Sequence, residues 1–359
     1  MIEFRLLHYG EFDQAIALAD KTFRDGGQIS MGDAFPQVFS PELNQSYGAF
    51  INKELVSFIG LVPSVIHLES AEIQSYSIGA VCTHPNHRKK GFASILLDKV
   101  IEHVDRAKAS ILFVSGDLPI YQKAGCTYYG ERNQYEFQKG DLQRAEGYSI
   151  RELLPIDWFE LRRLNEARKV YVDQSIFDFA VLHQSKGFAS IHKLEHKILV
   201  AESGNGINGF VVLGVPNSST SQSPARLIEW GGEPQAVHAL LANSFHYGVN
   251  TLKISIPTYE TELNGLLVSY EKTVAAFPGT IKITNLNLLL KQLGPYLNGK
   301  IKIEATNQNK WKLFFHDKSF TVDDAALEKM ILQGEPNQDN DLQGVFPIPL
   351  PFPEGLNYV

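Results

Sequence analysis

Hydrophobic positions along the chain fall into short alternating runs interleaved with stretches of helical spacing, a pattern that predicts a mixed α/β fold. The opening Ile2-Glu3-Phe4-Arg5-Leu6-Leu7 alternates as a strand and leads into a helix in which Ala15, Leu18, Ala19 and Phe23 share one face. The same order returns at Tyr148-Ser149-Ile150-Arg151-Glu152-Leu153-Leu154-Pro155-Ile156-Asp157, followed by Trp158, Leu161, Leu164 and Asn165 at helical spacing. Each copy continues as a hairpin. In the first, Tyr47 to Ile51 and Leu55 to Val62 flank the turn Asn52-Lys53; in the second, Ile198 to Ala201 and Ile207 to Leu213 flank Gly204-Asn205-Gly206. The repeat predicts two copies of one fold.

Polar Lys139 to Arg144 reads as a linker, and Asn217 to Pro224 as a loop inside the second copy. After Pro278-Gly279 the pattern changes to a strand at Ile281-Lys282-Ile283, a helix at Leu286 to Leu293, strands at Lys300 to Ala305 and Trp311 to His316, and a helix at Ala325 to Leu332. This predicts a small α+β unit. Residues 1–140, 141–280 and 281–359 are therefore the expected domains. Asn337 to Asn340 reads as a polar loop, and the prolines from Phe346 to Pro353 require an extended tail.

Composition narrows the class. A chain of 359 residues, 44% hydrophobic and 20% charged, can bury more than one core. Its net charge of −7 argues against general affinity for nucleic acid or anionic membranes. Two cysteines, Cys82 and Cys126, support neither a disulfide framework nor a structural zinc site, and no apolar run is long enough for a membrane span. With no signal-peptide pattern at the start, a cytoplasmic protein without a metal is expected.

Candidate chemistry is concentrated between Tyr76 and Tyr129. Small apolar Ser77 to Val81 ends at Cys82-Thr83-His84-Pro85; Asn86-His87-Arg88-Lys89-Lys90-Gly91-Phe92-Ala93 then opens a helix with apolar Phe92, Ile95, Leu96, Val100, Ile101 and Val104. A strand running through a tight loop into a helix N-terminus converges backbone N–H groups on one spot, and the helix dipole adds positive charge. With Arg88, Lys89 and Lys90 beside it, such a cradle suits a pyrophosphate.

The run Arg-x-x-Gly-x-Ala, after Val-x-Thr-x-Pro and before the strand Ile111-Leu112-Phe113-Val114, resembles the acetyl-CoA loop of the GNAT (Gcn5-related) N-acetyltransferase superfamily. The resemblance implies tandem GNAT folds with mixed sheets, and acetyl-CoA held by Val81, Cys82, Thr83, Arg88, Lys89, Lys90, Gly91, Phe92 and Ala93. Ile120-Tyr121-Gln122-Lys123-Ala124-Gly125-Cys126 is similar to the family's Phe-Tyr-x-x-x-Gly-Phe element. That places Tyr121 as the general acid for the departing thiol, or as a ring packed on CoA. The Glu that many members carry on the preceding strand is absent, its place holding Ser75; Glu72, His84 and His87 are minor alternatives for a base. A covalent role for either cysteine has no activated histidine behind it.

The whole-chain plan resembles the Eis family, with tandem GNAT domains and a sterol-carrier-like C-terminal unit. By that resemblance the α-carboxylate of Val359 enters the site as base or amine-orienting group, the acceptor is a cationic amine such as an aminoglycoside, a polyamine or a lysine peptide, and the protein is a homo-oligomer. The second copy reads as degenerate, because Glu233 and Pro234 stand where a cradle would need amide donors. The loop Asp25 to Glu42 mixes carboxylates with aromatics, as a lid over a cation or a solvated loop would. Two readings outside catalysis remain at this level: a CoA-responsive binding protein without transfer, and a lipid carrier through the last unit.

Overall fold

The computed structural model describes residues 1–359 other than 144, 145, 205, 218–222, 248, 307–309, 335–341 and 343. The central part of the 217–224 loop and the 337–340 loop lie outside the described residues. The chain begins with β1 (Ile2–Leu6), α1 (Phe12–Phe23), α2 (Met31–Ala34), β2 (Tyr47–Ile51), β3 (Glu54–Leu68) and β4 (Ala71–Thr83). Next come α3 (Phe92–Arg106), β5 (Ile111–Val114), α4 (Pro119–Lys123) and β6 (Glu131–Gln138). The middle supplies β7 (Ser149–Glu152), α5 (Trp158–Glu166), β8 (Val170–Val172), α6 (Ile176–Ser185), α7 (Gly187–Ile191), β9 (Leu194–Ser203) and β10 (Gly206–Pro216). It continues with β11 (Ala225–Gly232), α8 (Pro234–Asn243), β12 (Thr251–Pro257) and α9 (Thr261–Leu266). The last stretch holds β13 (Thr273–Ala276), β14 (Thr280–Ile283), α10 (Leu286–Leu297), β15 (Lys302–Ala305), β16 (Trp311–Phe315), β17 (Lys318–Val322) and α11 (Asp324–Gln333).

These elements form two compact units, each drawn from separated stretches of chain. The first comprises Met1–Leu6, Gln45–Gly130 and Ala276–Pro351. Its main sheet runs β1-β2-β3-β4-β5-β14, antiparallel except for the parallel pair β4 and β5. Asn52 and Lys53, both at positive φ, close the tight β2–β3 turn anticipated from their sequence. Phe92, Leu96, Leu97, Val100 and Val104 form the buried stripe of α3 and meet Ile59, Leu61, Ile78 and Leu112 of the sheet. Five such side chains removed from water contribute on the order of 10 kcal/mol. A separate antiparallel sheet, β15-β16-β17, belongs to this unit, and Asp323 caps the following α11 by accepting from the Ala326 amide at 2.9 Å.

The second unit comprises Leu7–Asn44, Glu131–Ala275 and Phe352–Val359. Its sheet runs β13-β6-β12-β11-β10-β9-β7, with β11 and β12 parallel. Leu240 and Leu241 of α8 pack with Leu199, Val211 and Leu252 in one core cluster. A second cluster joins Leu161 and Leu164 of α5 and Phe188 of α7 to Ile198, Val200, Phe210 and Val212. The five-strand orders β1-β2-β3-β4-β5 and β7-β9-β10-β11-β12 match, each with a helix, α3 or α8, between its parallel strands.

The mixed α/β class expected from the sequence is the class observed. Element assignments differ in several places. The third segment's first strand, β14, pairs antiparallel with β5, from Thr280↔Val114 to Ile283↔Ile111. β6, which precedes residue 140, pairs with β12 from Arg132↔Pro257 to Gln138↔Thr251. β3 and β4 run well beyond the expected strands, and β17 had no counterpart in the reading of the chain. Phe23 is exposed rather than on the buried face of α1, where Phe12 takes its place. In the loop expected as a lid or solvated segment, Phe35, Val38 and Phe39 are buried, and the Phe35 ring lies 6.1 Å from that of Tyr358.

Candidate active site

The site begins with a defect in β4. Phe58 faces Cys82 and Gly60 faces Gly79, so Ala80 and Val81 together oppose Ile59 alone. This is a β-bulge, and Ala80 takes φ 51° to accommodate it. Pairing of β4 with β5 stops at Ile78↔Val114, while β4 continues to Thr83. The strands therefore part, and the edge of β4 from Gly79 to Thr83 is left without a β5 partner. At Gly79 to Val81 such an edge presents backbone N–H and C=O groups to a bound chain.

β4 then delivers the chain into the loop before α3. The His84 amide donates to the Val56 carbonyl at 2.8 Å, and Arg88 Nε donates to the Thr83 carbonyl at 3.2 Å, which ties the loop to the strand end. Ser57 Oγ lies 2.7 Å from Thr83 Oγ1 and donates to the Cys82 carbonyl at 3.0 Å. Lys89 and Gly91 both adopt positive φ, 62° and 81°. Gly91 is the N-cap of α3 and no side chain caps the helix, so its first amides keep their donors for a ligand. A Cβ at Gly91 would meet no atom within 4 Å, so the space before the helix is open. Arg88, Lys89 and Lys90 are exposed around it, with Lys90 Nζ 3.3 Å from His87 Nδ1. These features fit a pyrophosphate.

The expected residues Val81, Cys82, Thr83, Arg88, Lys89, Lys90, Gly91, Phe92 and Ala93 thus share one unit and one strand–loop–helix path. Two of them face away from that space. The Phe92 ring is buried, edge-on to Phe4 at 5.6 Å, and the Cys82 side chain is buried as well.

Tyr121 lies in the same unit, on α4, which follows β5. It is 5% exposed, and burial pushes its phenol up to about 12, so it stays protonated at neutral pH. Its amide donates to Leu118 O and its carbonyl accepts from the Cys126 amide at 2.9 Å, fixing the short helix. Gly116 makes room for the ring: a Cβ there would sit 3.3 Å from Cε2. Thr280 Oγ1 on β14 donates to the Gly116 carbonyl at 2.9 Å. Burial also raises the Cys126 thiol, against the opposing effects of Lys282 and Thr280, which keeps it a thiol and unsuited to nucleophilic attack. The roles of Gly116, Thr280 and the Ala80 bulge were not anticipated from the sequence. Ala80 carries no turn residue to mark it, and Thr280 is far away in the chain.

The place expected for a strand base is occupied by a hydroxyl. Ser75 is buried, with Oγ 2.9 Å from Ser64 Oγ, and neither can accept a proton from an ammonium near pH 7. Val359 belongs to the second unit and is buried. Tyr358 beside it packs on Phe188 and Phe35, with ring centroids 5.2 and 6.1 Å away, and Gln174 Nε2 donates to Asn357 Oδ1 at 2.8 Å. Among the described residues, no cluster of three or more His, Cys, Asp or Glu could hold a metal ion, and no helix is long and apolar enough to cross a membrane.

Residues 3–129 match the family model of the acetyltransferase (GNAT) domain. No curated protein matches the sequence. Among solved structures, the chain is similar to a conserved protein of unknown function from Enterococcus faecalis V583, described as a probable N-acyltransferase: 15% identity and TM-score 0.66, covering 91% of this chain and 86% of that one. It is similar to a GCN5-related N-acetyltransferase from Anabaena variabilis at 14% identity and TM-score 0.64, covering 90% of this chain and 85% of that one. Eis1 from Mycobacterium abscessus gives 13% identity and TM-score 0.63, with 93% and 90% covered. At such identities the likeness is one of fold. On the match of residues 3–129 to that family model, the chain is an acyltransferase.

Proposed function

We propose that the chain is an acetyl-CoA-dependent N-acetyltransferase acting on a primary amine of a cationic small molecule or peptide. The observation that carries this reading is the open edge of β4 beyond Ile78, running straight into the uncapped N-terminus of α3. A pantetheine arm would pair along Val81, Cys82 and Thr83, and the pyrophosphate would take the amides from Gly91 to Ala93, with Arg88, Lys89 and Lys90 balancing its charge. The neutral amine attacks the thioester carbonyl, the tetrahedral oxyanion collapses, and the C–S bond breaks. Tyr121, holding its proton at neutral pH, gives it to the departing sulfur. The amine's own proton passes to a base, for which the α-carboxylate of Val359 is our assignment in the absence of a carboxylate at position 75.

The second sheet is read as a degenerate tandem copy, and the β15–β17 sheet with α10 and α11 as the sterol-carrier-like part. A reducing cytoplasm suits two cysteines that form no disulfide. The acceptor class, aminoglycoside-like or polyamine-like, rests on the Eis-family resemblance of the sequence.

Release of CoA thiol from acetyl-CoA across aminoglycosides, polyamines and lysine peptides tests the reading. Amine-dependent release that is lost on Tyr121→Phe and on deletion of Val359 supports it. The pairing of buried Ser75 with Ser64 favours one alternative, a CoA-responsive binding protein without transfer. Saturable CoA binding with no release to any amine would decide for that alternative.

A further inference from the structure

The second sheet repeats the defect of the first. β11 pairs with β12 only at Ala225↔Leu252 and Arg226↔Lys253, and from Leu227 onward the two strands part. Opposite β10, the register shifts between Val212↔Glu229 and Leu213↔Leu227, which leaves Ile228 as a bulge two residues beyond the last parallel pair. Ala80 of β4 stands two residues beyond Ile78 in the same way. The second unit thus builds a splay of the same kind, with its own bulge at the opening.

That splay contains protein. A Cβ on Gly355 would lie 3.5 Å from the Ile228 carbonyl, the bulge residue, and 2.8 Å from Glu229 Oε2. Glu354 reaches the other side, where Arg132 of β6, opposite Pro257 at the end of β12, donates to its Oε2 at 3.0 Å. The segment therefore bridges β11 and the β12–β6 pair. Leu356 continues into the core cluster that includes Ile228, and Asn357 and Tyr358 are held as described. Arg168 donates to Glu229 Oε1 at 2.6 Å and braces that carboxylate against the segment. At the neighbouring helix start the protein also supplies its own anion. Glu233, N-cap of α8, accepts from Asn208 Nδ2 at 3.1 Å and Tyr148 Oη at 3.3 Å.

We propose that the splay of the second sheet is a seat for the chain's own C-terminal segment, and that Arg132 is a positioning residue which, through Glu354, fixes the terminal carboxylate of Val359. The seat stands on the geometry above, while its consequence for turnover rests on the reading of Val359 as the base. In the first unit the open strand edge faces a cosubstrate; in the second, the equivalent edge holds residues 352–359. Arg132→Ala takes away the hydrogen-bonded partner of the half-buried Glu354 carboxylate and leaves only the more distant charge of Arg226 near it, so the segment loosens. Gly355→Val dislodges it differently, by crowding Glu229, which Arg168 holds in place.

Timed digestion of the intact protein with a carboxypeptidase, read by mass spectrometry, reports the seat directly. Val359 should be released at least tenfold faster from Arg132→Ala and from Gly355→Val than from wild type, with Arg132→Lys close to wild type. In steady-state assays of acetyl transfer, the two loosened variants should lose at least tenfold in kcat, with the KM for acetyl-CoA within twofold, and Arg132→Lys should recover kcat. Unchanged release in both Arg132→Ala and Gly355→Val overturns the seat, whatever Val359 does. Faster release with kcat intact overturns the positioning role. Full turnover after deletion of Val359 removes the carboxylate as base while leaving the digestion result to stand by itself.

Discussion

His196 gives the second unit a pH dependence whose size follows from its surroundings. Nδ1 lies 3.0 Å from the His183 carbonyl, an acceptor, so that nitrogen carries the hydrogen of the neutral ring. Nε2 is sealed from solvent and, like Nδ1 of the parallel His183 ring 5.7 Å away, has no partner among the described residues. A second proton would place a charge and a donor in a space with no acceptor, beside His183 and Lys186. Burial accordingly lowers His196 from 6.5 to about 4. The unfolded chain takes up this proton near pH 6.5 and the folded chain only near pH 4, so the stability tied to the neutral ring is complete above pH 6.5 and lost as pH falls toward 4. Between pH 8 and pH 5 the loss is about 2 kcal/mol. His183, also lowered by burial, loses stability in the same direction. Urea unfolding followed by tryptophan fluorescence suits the test, since Trp158 and Trp230 both lie in this unit. Wild type should lose about 2 kcal/mol more than His196→Gln between the two pH values. Losses equal to within about half a kcal/mol would refute the argument, because other groups titrate alike in both proteins.

Three substitutions test the first unit. Tyr121→Phe should lower kcat by about a hundredfold and leave acetyl-CoA affinity, by calorimetry, within twofold; unchanged turnover would make the ring a packing surface only. Gly91→Val should weaken acetyl-CoA binding at least tenfold, because φ 81° disfavours a branched side chain and the Cβ enters the space before α3; wild-type affinity would place the pyrophosphate elsewhere. Gly279→Ala should destabilise the β5–β14 edge by more than about 3 kcal/mol in thermal or urea unfolding, since φ is 89° and the Cβ would lie 2.3 Å from the Val114 carbonyl. A melt like that of wild type would mean that the turn relaxes.

The cradle was legible because its signals are local: a glycine at positive φ, a basic loop and the apolar stripe of α3 sit within one short run. The β2–β3 hairpin was legible for the same reason, in Asn52 and Lys53. The pairing of β6 with β12 was not. Residues 131–138 alternate equally well for either sheet, and only pairing with Thr251–Pro257, more than a hundred residues on, decides the matter. β4 read as short because Gln74 and Ser75 interrupt its apolar run, yet Ser75 is buried with its hydroxyl paired to that of Ser64. Val359 was singled out by resemblance, whereas the ion pair that holds its segment joins residues 222 apart and leaves no local trace.

The two helix starts show why matching strand orders lead to different chemistry. At α3 the chain spends a left-handed glycine and no side chain, so the first amides and the dipole are available to an external anion. At α8 the N-cap is Glu233, whose carboxylate stands near the positive end of the helix dipole and is held by Asn208 and Tyr148 rather than by the helix amides, and Pro234 removes one donor. Glu233→Ala should therefore cost the second unit about 1 kcal/mol in unfolding, as the loss of a carboxylate at a helix N-terminus does. It should leave CoA binding at one per chain by calorimetry, because residues 352–359 still occupy the splay. A second CoA equivalent in Glu233→Ala would mean that the carboxylate alone had been excluding a ligand, and that the C-terminal segment yields its place when an anion can bind.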